Sequence, residues 1–301
     1  MACFSLQHVE PTDASPQSKQ RSGGENASSG FLSDALCALD GSAGSIAAVE
    51  QAATLAGAGG HLTLLEVTSF RNLGEYRGPV INPVDSKSIL DRAVEIAKEA
   101  GVSHAVEVDP DAPPWKVILE WSDRHSFLAM GSPSTSWFGG FFLGGATDAA
   151  LGDLASPLLV ARPTPSGDPL GGRIVIASDG LPGSDALVEF AGELASSRGA
   201  SVTLAHALTP LERKARSERV EAQASKLEGL LGDSLDVHMR AGTAHKVLAE
   251  LAGESAAALV VMGSRRVHGV RALGSVTRRF AHEGPCSAML VPPEYLSRNQ
   301  P

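Results

Sequence analysis

The chain has little cysteine. Cys3, Cys37 and Cys286 are the only three in 301 residues, and they lie far apart without the close spacing of a metal ligand set. An odd, sparse set builds no disulfide framework and suits a reducing compartment. Basic charge is short as well: Lys+Arg number 25 against 34 Asp+Glu, the net charge is −9 and the sequence pI is near 5.5. Affinity for a nucleic-acid backbone rests on clustered cations, so nucleic acid is excluded as the main partner. The sequence lacks any run of the ~18 apolar residues that a helix needs to cross a bilayer, so no membrane is expected as partner. Its N-terminus lacks the charged-then-apolar order of a secretory signal, and a cytoplasmic protein is expected. Catalytic and metal signatures are missing too. Nine histidines are scattered with no HExxH or paired Cys/His pattern, and no Ser, His and Asp set stands out.

What the sequence does contain is a duplication. Around Asp40 it reads ALDGSAGS, followed by an amphipathic stretch and HLTLLEV; around Asp179 it reads ASDGLPGS, followed by another such stretch and SVTLAHA. Further on, PPWKVILEW then LAMGS, ending at Ser132, is matched by TAHKVLAEL then VVMGS, ending at Ser264. A period of about one domain length means two copies of one globular domain and not a solenoid, whose units run roughly 20 to 50 residues. With 43% hydrophobic residues the chain can fill two cores of ordinary size.

Composition suggests the boundaries. Residues 1–30 are polar, lack apolar periodicity and read as a tail. The first copy spans 31–161 and the second 172–291. Between them RPTPSGDPLGG, with three prolines and three glycines, makes 162–171 a linker. PPEYLSRNQP, from residue 292 on, reads as an unstructured end.

Within each copy short apolar runs alternate with helical periodicity. ALCAL, HLTLLEV, HAVEV, SFLAM and LLVA read as strands in the first; RIVIA, SVTLA, LDVHM, ALVVM and SAMLV take their places in the second. Between them helices carry Ile46, Val49, Ala53 and Ala56, or Leu187, Phe190, Ala191 and Leu194; one more is expected from Gly145 to Leu154. Strict alternation implies right-handed crossovers and a parallel sheet covered on both faces. The predicted fold is α/β: two tandem five-stranded doubly wound parallel-sheet domains of Rossmann-like type.

In such sheets a ligand sits beyond the carboxyl ends of the strands, where the strand order reverses. Two loops reach that place. The first follows strand one and holds Asp40 or Asp179, which can accept from a base or ribose donor or can cap the next helix. The second follows strand four and begins with MGS in both copies. Its glycines let the backbone approach a phosphate, and the following helix points free N–H groups at an anion.

Together these features resemble the universal stress protein family in its tandem two-domain form. The resemblance rests on the aspartate ending strand one, the VVMGS strand end, the LGS helix start at Leu273 to Ser275, and the EGPCSAMLV ending. It implies ATP or a related adenine nucleotide as ligand, held in binding members by Gly, two residues, Gly, nine residues, then Gly with Ser or Thr. Carried onto the first copy, the pattern falls on Gly131, Ser134, Gly144 and Gly145, with the spacing intact, a side chain added at Ser134 and a hydroxyl lost at Gly145. In the second copy it falls on Gly263, Arg266, Gly274 and Ser275, where the hydroxyl is kept, the second glycine is lost and the loop is two residues short. Arg265, Arg266, His268 and Arg271 crowd that shorter loop. The anion cradle is therefore expected to be better preserved in the first copy. The resemblance also places Val67, ending strand two, and Met130, ending strand four, at the adenine pocket. The aromatic tract Trp137, Phe138, Phe141 and Phe142 is expected to dock on a protein partner or on the other domain.

The implied function is a stress-response protein that binds or senses ATP without substantial catalysis. A nucleotide-free adaptor acting through protein contacts and a slow ATPase are the alternatives. The resemblance further implies that LLVA and SAMLV pair within one chain as an intramolecular pseudo-dimer, which leaves a homodimer of whole chains optional.

Overall fold

The computed structural model describes residues 32–68, 83–110, 114–132, 154–164, 170–208, 214–264 and 275–298. The first half contributes β1 (Asp34–Leu39), α1 (Ala43–Ala56), β2 (His61–Thr68), α2 (Pro83–Glu99), β3 (Ser103–Pro110), α3 (Pro114–Ser122), β4 (Phe127–Gly131) and β5 (Leu158–Ala161). The second contributes β6 (Arg173–Ser178), α4 (Ser184–Ser197), β7 (Ser201–Leu208), α5 (Lys214–Leu231), β8 (Leu235–Ala241), α6 (Ala244–Glu254), β9 (Ala257–Gly263), α7 (Ser275–Glu283), β10 (Ser287–Val291) and α8 (Pro293–Arg298).

All ten strands join one sheet, in the order β3-β2-β1-β4-β5-β10-β9-β6-β7-β8. Within each half the pairing is parallel, and the order reverses between β1 and β4 and again between β6 and β9. These are two doubly wound units. The central strands β1, β4, β5 and β10 are buried almost throughout, which is why they read as unbroken apolar runs rather than alternating ones. Two apolar layers cover the sheet, and each runs across both halves. One packs under α1, α2, α4, α5 and α8; the other packs under α3, α6 and α7.

The halves meet where β5 and β10 pair antiparallel, Leu159 opposite Met289, so the predicted strand-end association is present within the chain. Arg162, directly after β5, fastens the seam. Its Nη2 donates to the carbonyls of Ala281 (2.9 Å) and His282 (2.8 Å) at the end of α7, its backbone N–H donates to Ser287 Oγ (3.0 Å), and its carbonyl accepts from Gln51 Nε2 of α1 (2.8 Å). Arg198, capping α4, donates to Thr54 O of α1 at 3.0 Å.

One expectation is corrected. The segment from Pro292 is not an unstructured end: Pro293–Arg298 forms α8. Pro293 suits the first helical position, where its missing N–H is not needed. Tyr295 and Leu296 are 9% and 8% exposed, and the Tyr295 ring stands edge-on to Phe190 of α4 at 5.9 Å. A helix of six residues has too little periodicity to be read from sequence, and this one is held by tertiary contact. The helix expected from Gly145 to Leu154 lies outside the described residues except for Leu154, which is buried.

The first helix of each half differs in bulk. α1 buries Ala47, Ala48, Ala52, Ala53 and Ala56, whereas α4 buries Leu187, Val188, Phe190 and Leu194. Small side chains let a helix lie close to the sheet, and large ones hold it away.

Candidate functional site

Both halves turn sharply after their first strand. Gly41 (φ +79°) and Gly180 (φ +64°) take left-handed conformations, and each lies against the second helix of its half. A Cβ on Gly41 would collide with the Ile89 side chain, and one on Gly180 would lie 2.7 Å from Arg216 O. The repeated Asp-Gly is thus first a turn. Asp40 Oδ1 accepts from Ser42 N (2.9 Å) and Ser42 Oγ (2.6 Å), and it is Ser42 that caps α1 by accepting from Ser45 N. Asp179 Oδ1 accepts from Leu181 N at 2.9 Å, and α4 begins without a side-chain cap.

At the first switch point, between β1 and β4, the backbones touch. A Cβ on Gly131 would lie 2.5 Å from Gly44 C and 2.6 Å from Ser45 N, so the missing side chain of Gly131 is used by the first turn of α1. Met130 is fully buried in the layer under α3. Val67 lies on β2 opposite Asp109 of β3. Ser134, Gly144, Gly145 and the aromatic tract from Trp137 to Phe142 lie outside the described residues.

At the second switch point the equivalent glycines stand apart. Nothing approaches a Cβ on Gly183, and the nearest atom to one on Gly263 is Leu187 Cδ2 at 3.7 Å. Here a cleft of about 480 Å³ opens over the tips of β6, β7 and β9, a size that suits a small-molecule ligand. Its lining combines the polar residues Ser178, Asp179, Ser264, Ser275 and Thr277 with the apolar Leu187, Met262, Pro293 and Leu296. Ser275 opens α7, whose free N–H groups and partial positive charge face this end of the sheet. Of the positions expected from the sequence, Asp179, Gly263 and Ser275 come together here, while Arg266 and Gly274 lie outside the described residues.

Beneath the cleft floor a polar network fixes the turn between β6 and α4. Ser178 Oγ donates to Gln223 Oε1 (2.6 Å); Gln223 Nε2 donates to Ser184 Oγ (2.9 Å) and to Asp185 Oδ1 (2.6 Å); Arg219 pairs with Asp185 at 2.6 Å. His206, 2% exposed, also lines the cleft and donates from Nδ1 to the Ser178 carbonyl at 2.8 Å. Sequence reasoning missed His206, Arg216, Gln223 and Leu296. One signal was available: His206 and Glu66 occupy the same register position of the duplicated strand, a polar residue inside an apolar run. Among the described residues no three His, Cys, Asp or Glu side chains are placed to hold a metal ion, and no helix is long and apolar enough to cross a membrane.

The architecture is shared with solved proteins. A universal stress protein from Archaeoglobus fulgidus is similar over 87% of this chain and 97% of its own, at 23% identity and a TM-score of 0.66. A functionally unknown protein from Pseudomonas aeruginosa PAO1 is similar over 90% and 97%, at 15% identity and a TM-score of 0.64. The cytoplasmic domain of a prokaryotic cation chloride cotransporter is similar over 88% and 99%, at 11% identity and a TM-score of 0.57. At these identities the likeness is one of fold. No curated protein matches the chain. The sequence profile of the Universal stress protein family matches twice, over residues 33–162 and 172–292, so the chain belongs to that family, in a tandem two-domain form.

Proposed function

We propose that this protein is a stress-response binding protein that takes an adenine nucleotide such as ATP in the cleft of its second half and does not turn it over. The observation that carries this reading is the 480 Å³ cleft at the second switch point, which has a carboxylate, Asp179, and the start of α7 at Ser275 on its lining. A base can donate to Asp179 while phosphates meet the helix start. Gly263 leaves the open space that an approaching phosphate needs. The first half is the poorer candidate because Gly131 is already occupied by the backbone of α1.

The buried serines of the cleft, Ser178 and Ser184, donate to Gln223 and to Leu181 O and so hold the turn beside Asp179 in place. Calorimetric titration with ATP tests the reading. Wild type and Gly131→Ala are expected to release heat with one site per chain, and Gly263→Val to release none. No heat from wild type would favour the adaptor reading, and steady phosphate release would favour a slow ATPase.

A further inference from the structure

The two halves share a sequence plan, yet the paired glycines touch at the first switch point and stand apart at the second, and among the described residues the first half has no counterpart of α8. After β5 comes Arg162, which bonds across the seam; after β10 the chain forms α8, which inserts Tyr295 and Leu296 into the layer containing Leu187 and Phe190 of α4. Pro293 and Leu296 line the cleft together with Leu187 and Gly263. Where α4 carries Leu187, α1 carries Ala48, and where α4 carries Gly183, α1 carries Gly44, which touches Gly131.

We propose that α8 is a wedge. Packed against Phe190, it holds the first turn of α4 off the end of β9, and this separation keeps the cleft at the second switch point open to a ligand. Two apolar layers cannot occupy the same space, so with α8 seated α4 cannot descend as α1 does. Without α8, Leu187 and Phe190 lose their cover, and the burial of their apolar surface favours closure of α4 onto Gly263. Pro293 and Leu296 are therefore a specificity-determining part of the cleft lining, apolar surface that the ligand meets together with the polar groups of Asp179 and Ser275. The role in ligand acceptance rests on the nucleotide reading above, whereas the spacing role does not.

The test separates the two. Gly263→Ala is introduced into the full chain and into a chain ending at Pro292, and thermal melting is recorded for each. In the full chain the substitution is expected to leave Tm unchanged, because its Cβ has room. In the shortened chain α4 comes down, and the same substitution is expected to lower Tm by about 3 °C or more, the response to a backbone clash of roughly 1 kcal/mol. Equal shifts in the two backgrounds overturn the wedge and leave the Leu181–Pro182 turn or the bulk of Leu187 as the cause of the gap. If the shortened chain does not fold, Leu296→Ala in the full-length protein serves as the second background and is read the same way. ATP titration of the same proteins forms the other arm, with affinity expected to fall at least about tenfold on removal of α8. Absence of ATP binding in the full chain defeats the nucleotide reading and leaves the melting result to decide the wedge.

Discussion

Gly131 at the end of β4 and Gly44 in the first turn of α1 meet backbone to backbone, whereas their equivalents Gly263 and Gly183 do not touch. The same Gly-Ser tip therefore serves as a packing contact in one half and leaves an open cleft in the other. Gly131→Ala is expected to cost about 1–3 kcal/mol, the usual effect of overpacking. Gly263→Ala is expected to stay within about 0.5 kcal/mol. Urea unfolding of the two variants checks the difference, and a larger loss at Gly263 would contradict the geometry.

Gln223 joins α5 to the turn that carries Asp179. It accepts from Ser178 and donates to Ser184 and Asp185, all beneath the cleft. Gln223→Leu removes those partners from buried groups and is expected to cost about 1–3 kcal/mol. Adding Ser178→Ala should cost further stability, because Ser178 Oγ also accepts from the buried Gly180 N–H at 3.1 Å. A double-mutant cycle measured by denaturant unfolding reads the coupling.

Arg162 ties the first half to the end of α7. Arg162→Met keeps most of the apolar stem and loses the donors to Ala281 O and His282 O, with an expected cost of about 3 kcal/mol. Because these bonds cross the seam, unfolding followed by calorimetry should lose cooperativity between the halves, whereas Arg92→Met, in an exposed pair on α2, should change neither quantity.

Burial pushes the Cys37 thiol up to about 12 from its ordinary 9.0, since β1 gives a thiolate no solvent. The folded state thus holds a proton that the unfolded state releases above pH 9.0. With fewer protons on the unfolded chain, stability falls as pH rises, by about 1.4 kcal/mol per pH unit for each such thiol. Below the ordinary value the contribution is fully present. Cys286, also pushed up to about 12 by burial, adds a second slope of the same sign. Unfolding free energies from about pH 8 to about pH 11 should decline in wild type and flatten in the Cys37→Ala, Cys286→Ala double variant.

Much of the fold was legible because parallel strands buried on both faces are written as apolar runs, and because the chain carries two versions of each. That Asp179, Gly263 and Ser275 would come near one another was legible from their place at strand tips and a helix start, and all three line the cleft. Leu296 and Gln223 were not legible. Nothing in PPEYLSRNQP signals a helix until Phe190 and Leu187 offer it an apolar seat, and nothing in the polar face of α5 marks Gln223 until Ser178 and Ser184 face it.

The sequence by itself determined two doubly wound units and the loops that reach their switch points, because hydrophobic period and turn chemistry are local properties of the chain. Only the tertiary structure decided how the paired glycines stand at each switch point, with Gly131 against Gly44 in one half and Gly263 clear of Gly183 in the other. That outcome rests on contacts between segments far apart in the chain, among them the small side chains of α1, the larger ones of α4 and the seat of α8 against Phe190.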